Sequence, residues 1–231
     1  MSYLLDGLAR AVDLLTTGDA ETFSAVAATL TATALSMSVA LMAGLPAGFC
    51  LGYFRFPGKR FLRMVTDAFM AFPTVVIGLL VYAMLSRQGP MGDCDLLFTI
   101  PGMSIGLALL ALPMVVSLTA SAVEQMDSRL RLTLLTLGAD SGQLLRGILW
   151  EARFGVLAGA LAAFGRVVSE VGIAMMVGGN IKWHTRTITT AIALETGKGE
   201  FAQGIALGMV LLGLALILNA ALALIRRREG P

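Results

Sequence analysis

Two charged side chains stand inside an otherwise apolar run: Arg166 and Glu170, in the segment FGRVVSEVG that spans residues 164–172. Four residues apart on a helix, they share a face and can form an ion pair. A charge held in hydrocarbon costs ~2.5 to 3.5 kcal/mol even on the lenient insertion scale, so that face must turn toward a helix bundle or a wet cavity. Two roles fit. Either the pair fixes helix packing, or Arg166, Ser169, Glu170 and Gly172, with Asn180 of the Gly178-Gly179-Asn180 turn, line the path or gate of a polar or charged solute. Gly165, Gly172, Gly178 and Gly179 also permit close helix contact.

A second constellation lies in residues 124–153, EQMDSRLRLTLLTLGADSGQLLRGILWEAR. The pattern predicts two short helices broken at Gly138. Leu130, Leu132, Leu134, Leu135 and Leu137 crowd the first. Asp140 caps the second, with Gln143 reaching back three residues later as a variant capping box. Leu144, Leu145, Ile148 and Leu149 then share one face. An amphipathic helix-Gly-helix of this kind offers an apolar surface to its own bundle, to the bilayer or to a partner protein.

The segment 181–203 is too polar to span a bilayer and too apolar for a plain loop, which predicts a re-entrant or interfacial piece. Its Thr185, Thr187, Thr189 and Thr190 supply many hydroxyls. His184 is the only histidine, so a multi-histidine metal site is excluded and a solvated position is expected. The thirteen methionines read as packing filler. There is no GxxxxGK[ST], HExxH or GxSxG, so no catalytic residues are assigned and no ATP or ester hydrolysis is expected of this chain.

The elements that must position these residues belong to a membrane protein. Of 231 residues 57% are hydrophobic and 14% charged, with a mean hydropathy of +0.82, against about 25% charged in a soluble domain. Residues 22–54, 68–86, 96–123 and 201–225 contain no charge at all. A fifth apolar stretch, 154–181, carries Arg166 and Glu170. Each can cross a ~30 Å core. The expected fold class is an all-α polytopic membrane protein of about five transmembrane helices.

Eleven Lys/Arg side chains fall on one side of these crossings, among them Arg55, Lys59, Arg60 and Arg63 in the first link and Arg226-Arg227-Arg228 at the end. Positive-inside reasoning then places the N terminus outside and the C terminus in the cytoplasm. The link Arg55-Phe56-Pro57-Gly58-Lys59 reads as a turn serving as a basic membrane-edge anchor. Gly44-Leu45-Pro46-Ala47-Gly48 should loosen or kink the first span. Cys50 and Cys94 fall near opposite faces, so no disulfide is expected. Residues 1–21 are expected to be a retained, surface-lying segment, 22–225 the membrane domain, and 226–231 a basic cytoplasmic tail. A net charge of +2 offers no footprint for nucleic acid.

Gly138 and Ile148, with nine residues between them, together with Gly138-Ala139-Asp140, resemble the loop by which permease subunits of ATP-binding-cassette importers engage their ATPase. Leu132-Thr133-Leu134 stands where that loop carries Glu-Ala-Ala, and Trp150-Glu151 replaces its Leu-Pro ending. The likeness runs over residues 22–225. FGRVVSEVG, the GGN turn and TRTITTAI are similar to the oxyanion branch for molybdate, sulfate and tungstate, and IALETGKGEFAQGIALG looks most like its tungstate-type permeases.

The resemblance implies a type I importer permease fold and a multi-pass subunit of a bacterial or archaeal plasma membrane. It implies a homodimer with two ATPase subunits and an external solute-binding protein. This chain would bind no cofactor, with ATP and Mg held by the ATPase. It further implies an ATPase-coupling loop built on Leu134, Gly138, Ala139, Asp140, Leu144 and Ile148. Tungstate is the expected oxyanion, with molybdate or sulfate as alternatives of the same class. A secondary transporter would need coupling carboxylates and usually an inverted repeat, and a membrane scaffold would need no solute path.

Overall fold

Long charge-free stretches rich in Ala, Leu and Met have one way to satisfy their backbone in lipid, and they take it. The computed structural model describes residues 2–126 and 133–228. Its helices are α1 (Ser2–Thr16), α2 (Ala20–Tyr53), α3 (Lys59–Met70), α4 (Thr74–Leu85), α5 (Ile100–Glu124), α6 (Ser141–Val168), α7 (Gly172–Gly178), α8 (Ile188–Gly197) and α9 (Phe201–Arg228). No strand occurs among the described residues.

Among the described residues three helices are individually long and apolar enough to cross a membrane, α2, α5 and α6, and α3 with α4 makes a fourth if the broken pair is one span. Two expectations are corrected. The span expected at 68–86 is interrupted after Met70, where Pro73 lacks an N–H and disfavours helix at Phe72. The remaining α4 has 12 residues, about 18 Å. The span expected at 154–181 is not one helix either. It is the end of α6, which begins at Ser141, followed by the seven-residue α7. The second of the two short helices expected in 124–153 and the start of the 154–181 stretch are therefore one continuous helix. The helix α2 is continuous, with Pro46 inside it.

The chain divides into two compact units. The first comprises residues 1–36, 73–109 and 165–231. Its centre is α7, whose Ile173 and Val177 are fully buried, as is Met103 of α5. Gly106 of α5 and Gly78 of α4 let both helices close on Ile173. Ala25, Ile188, Ala191, Leu207 and Val210 form a second cluster joining α2, α8 and α9. The N-terminal α1 packs on α9 through Ala11 against Ala206, and Arg10 donates to Gln203 at 2.7 Å.

The second unit comprises residues 37–72 and 110–164. Gly44, Gly48 and Gly52, four apart, form one stripe of α2 against α5. A Cβ on Gly48 would lie 2.6 Å from the carbonyl oxygen of Val116 and one on Gly52 2.8 Å from that of Ala120. Gly155 and Gly159 bring α6 equally close to Ala122 and Leu118 of α5. The glycines of the expected kink thus serve close helix approach, where dispersion replaces the hydrophobic effect as the cohesive force.

In this unit α3 is packed inside out. Lys59, Arg60, Arg63 and Asp67 occupy one side of the helix and Phe61, Leu62, Met64 and Phe69 the opposite side. The charged side meets α5: Arg63 donates to the Ser117 carbonyl at 2.9 Å and to the Ser121 hydroxyl, and the Ser117 hydroxyl donates to Asp67 at 2.6 Å. Lys59 and Arg63 pair with Glu124 at 3.0 and 3.9 Å. The apolar side faces outward, with Phe61 66% exposed. A surrounding lipid phase makes this orientation favourable.

Candidate functional site

Glu170 begins where α6 runs out. The amides of Ser169 and Glu170 bond to the carbonyls of Gly165 and Val167 at 3.2 and 3.1 Å, tightening the last turn, and the Ser169 hydroxyl donates to the Arg166 carbonyl at 3.1 Å. The chain then turns into α7, and the Glu170 carboxylate accepts the Ile173 amide at 3.3 Å in its first turn. An acid at a helix N-terminus is electrostatically favoured.

Arg166 and Glu170 are ion-paired at 3.3 Å, although a helix end lies between them. Their environments differ: the Glu170 side chain is 2% exposed and that of Arg166 43%. The carboxylate is thus a buried anion held by one half-exposed guanidinium and one amide. Thr29, Thr33, Leu107, Thr187 and Thr189 line a small crevice with it. Ser169 is exposed and Gly172 half-buried. Asn180 lies beyond α7, its side-chain Oδ1 accepting from Arg186 Nε at 3.2 Å and its φ at +50°.

The hydroxyls of Thr185, Thr187, Thr189 and Thr190 are committed to the fold. Thr187 and Thr190 form a reciprocal capping box at the start of α8. Thr185 donates to the Gly178 carbonyl and accepts the Ile181 amide at 3.2 Å. Thr189 donates to the Glu170 carbonyl at 3.0 Å, and Thr29 accepts the Ile188 amide at 3.0 Å. These threonines position Glu170 and α8 instead of presenting free donors to a solute. His184 is exposed.

Glu21 was not singled out from the sequence. It pairs with Lys182 at 2.6 Å and Arg186 at 2.5 Å, fastening the start of α2 to the turn before α8. The available signal was an acid immediately before the first charge-free stretch and two cations between the last two.

In the second unit, residues 133–136 are helical and Gly138 has φ +80°. The Ala139 amide bonds to the Leu134 carbonyl at 3.0 Å. Asp140 accepts the Gln143 amide at 2.8 Å and Gln143 accepts that of Asp140 at 3.0 Å, the reciprocal cap that the spacing predicts. Leu130 and Leu132 lie outside the described residues. Leu144 and Ile148 are buried with Phe49, Val123 and Ala152, and Leu134 packs beside them. Leu137, Leu145, Leu149 and Trp150 are exposed, Leu137 at 78%. The predicted face therefore divides into an inward pair and an outward group.

Residues 44–230 match the family model described as "Binding-protein-dependent transport system inner membrane component". The chain belongs to this family. It is a permease subunit of an ATP-binding-cassette importer, a multi-pass inner-membrane protein that leaves ATP hydrolysis to other subunits. The permease is 43% identical over 219 residues to the tungstate uptake system permease protein TupB of Campylobacter jejuni, covering 95% of this chain and 92% of that one. It is 35% identical over 222 residues to the TupB of Peptoclostridium acidaminophilum, covering 96% and 97%. Against the molybdenum transport system permease protein ModB of Escherichia coli the identity is 27% over 209 residues, covering 84% and 91%. An inward-facing structure of the MetNI methionine ABC transporter shares the fold, with a TM-score of 0.73 at 19% identity, covering 91% of this chain and 97% of that one.

Proposed function

We propose that this permease conducts tungstate inward as a homodimer bearing two ATPase subunits and served by an external tungstate-binding protein. The observation that carries the substrate is the gap between 43% identity to a tungstate permease and 27% to a molybdenum permease. ATP and Mg belong to the ATPase. The N terminus lies outside and the C terminus inside, in keeping with the eleven basic residues assigned to one side.

In this reading the segment around Gly138 docks on the ATPase, helix in groove. Leu144 and Ile148 anchor it to its own bundle, and the outward Leu137, Leu145, Leu149 and Trp150 make the contact. ATP-driven closure of the ATPases moves that segment and biases the permease between inward- and outward-facing states. Arg166, Ser169, Glu170, Gly172 and Asn180 form a gate. Glu170 repels a dianion, so it acts by holding Arg166 and the start of α7, while Arg166 supplies the attraction.

The test is ATP hydrolysis and uptake in proteoliposomes containing the permease, its ATPase and the binding protein loaded with tungstate, molybdate or sulfate. Stimulation by tungstate well above the others is expected. Equal or greater stimulation by molybdate or sulfate overturns the substrate and retains the importer.

A further inference from the structure

We propose that the crevice at the start of α3 binds the phosphate headgroup of an anionic phospholipid, whose acyl chains lie along the outward apolar side of the same helix. The crevice has a volume of about 640 Å³, within the ~300–1,000 Å³ of small-ligand sites, and is lined by Arg55, Phe56, Gly58, Lys59, Arg60, Arg63 and Glu124. Four cations face one acid there, and that acid is already shared by Lys59 and Arg63. Lys59 also donates to the Gly52 carbonyl at 2.9 Å, and Arg63 also approaches Asp67 at 3.6 Å. Arg55 and Arg60 are exposed and make no ion pair or hydrogen bond among the described residues. The crevice therefore carries two uncommitted positive charges over a scaffold that two further cations hold rigid.

Charge alone fits any anion. The lipid is singled out by Phe61, Leu62, Met64 and Phe69, all exposed on the side of α3 opposite its packed charges. No residue of α3 is buried. An element with its charged side on the protein, its apolar side outward and free arginines at one end offers both halves of a phospholipid a matching surface. Guanidinium groups suit the headgroup because their planar donors engage phosphate oxygens in pairs. This inference rests on the chain's residence in the membrane and is independent of the transported anion.

The experiment is native mass spectrometry of the detergent-purified permease–ATPase complex titrated with phosphatidylglycerol or phosphatidylcholine. The parent should retain phosphatidylglycerol preferentially. The R55S/R60S variant should bind it about 30-fold more weakly, each surface cation contributing roughly fivefold, and R55K/R60K should keep most of the preference. ATPase stimulation by loaded binding protein in neutral-lipid vesicles confirms that the variant is assembled. Equal retention of the two lipids by the parent overturns the proposal, as does an unchanged preference in R55S/R60S. Displacement of the lipid by millimolar glycerol phosphate would identify a free-phosphate site and also overturn it. Loss of the complex's oligomeric state in R55S/R60S, without loss of lipid, would reassign the surface to contact between copies of the chain.

Discussion

Replacing Arg166 with methionine keeps the length of the side chain and removes the cation paired with Glu170. The pair is 3.3 Å apart, which at an effective dielectric of 20 corresponds to a gross attraction of about 5 kcal/mol. Removing one member of a buried pair costs ~3 to 5 kcal/mol, because the other charge is left behind. Here Arg166 is 43% exposed and Glu170 retains the Ile173 amide. Water therefore screens part of the attraction, and the expected loss falls to about 2–3 kcal/mol. For a chain of this size that is a drop of roughly 4–12 °C in Tm. Glu170→Gln keeps an acceptor for the amide and releases Arg166 toward water, so its cost should be near 1 kcal/mol. The double variant should lie within about 1 kcal/mol of the parent, giving a coupling energy of at least ~1.5 kcal/mol in a double-mutant cycle. Thermal unfolding of the four proteins in one detergent measures it. Arg166→Met within 0.5 kcal/mol of the parent would refute the premise that Glu170 is a charge stabilised by Arg166. Transport then separates the gate from a packing role: a stable double variant that still carries tungstate at the parental rate removes both residues from the path.

Gly138→Ala places a side chain at φ +80°, a strain of ~1–2 kcal/mol with no steric clash; the subunits should still assemble while ATPase stimulation by loaded binding protein falls, and full coupling would count against that loop. Gly48→Ala drives a methyl to 2.6 Å from the Val116 carbonyl and should cost ~1–3 kcal/mol in thermal unfolding, whereas Gly165→Ala, with nothing within 4 Å, should cost little. Thr187→Val removes the cap of α8, for a loss of about 1 kcal/mol and faster amide exchange at residues 188–190. Asp19 is held below the usual carboxylate range chiefly by the Thr22 hydroxyl. Its contribution is therefore present above the unfolded pKa and lost as pH falls through the folded one, and Asp19→Asn should flatten the acid side of the stability profile.

The long helices were legible because a bilayer leaves a coarse mark: charge-free runs at 22–54, 96–123 and 201–225 became the helices α2, α5 and α9 with ends shifted by a few residues, α2 and α5 long and apolar enough to cross a membrane. The Asp140–Gln143 cap was legible because it is local. The continuity of α6 was harder to see. Arg146, Glu151 and Arg153 give its first turns the polarity of a loop, and the helix is revealed only by Leu144, Ile148 and Ala152 recurring every fourth residue against Phe49 and Val123. Charge counting likewise put Arg63 in a cytoplasmic link, whereas its partners Ser117 and Ser121 sit in a distant stretch that local pattern cannot join to it. The threonines of 185–190 were read by chemical type. Their hydroxyls are engaged by backbone groups and by one another, a fact that depends on the fold of the whole segment.

The inside-out packing of α3 also sets an order of events during synthesis. The Ser117 carbonyl that receives Arg63 lies 54 residues further along the chain, so at ~5–20 residues per second the helix waits roughly 3–11 s for its partner. Through that interval α3 has charges that favour water and phenylalanines that favour lipid, and it can satisfy both by floating flat at the bilayer surface. Insertion of α5 then draws the charged side in. The second unit accordingly cannot close until α5 has been made, and for those seconds the cations of α3 are without the partners that hold them in the finished fold.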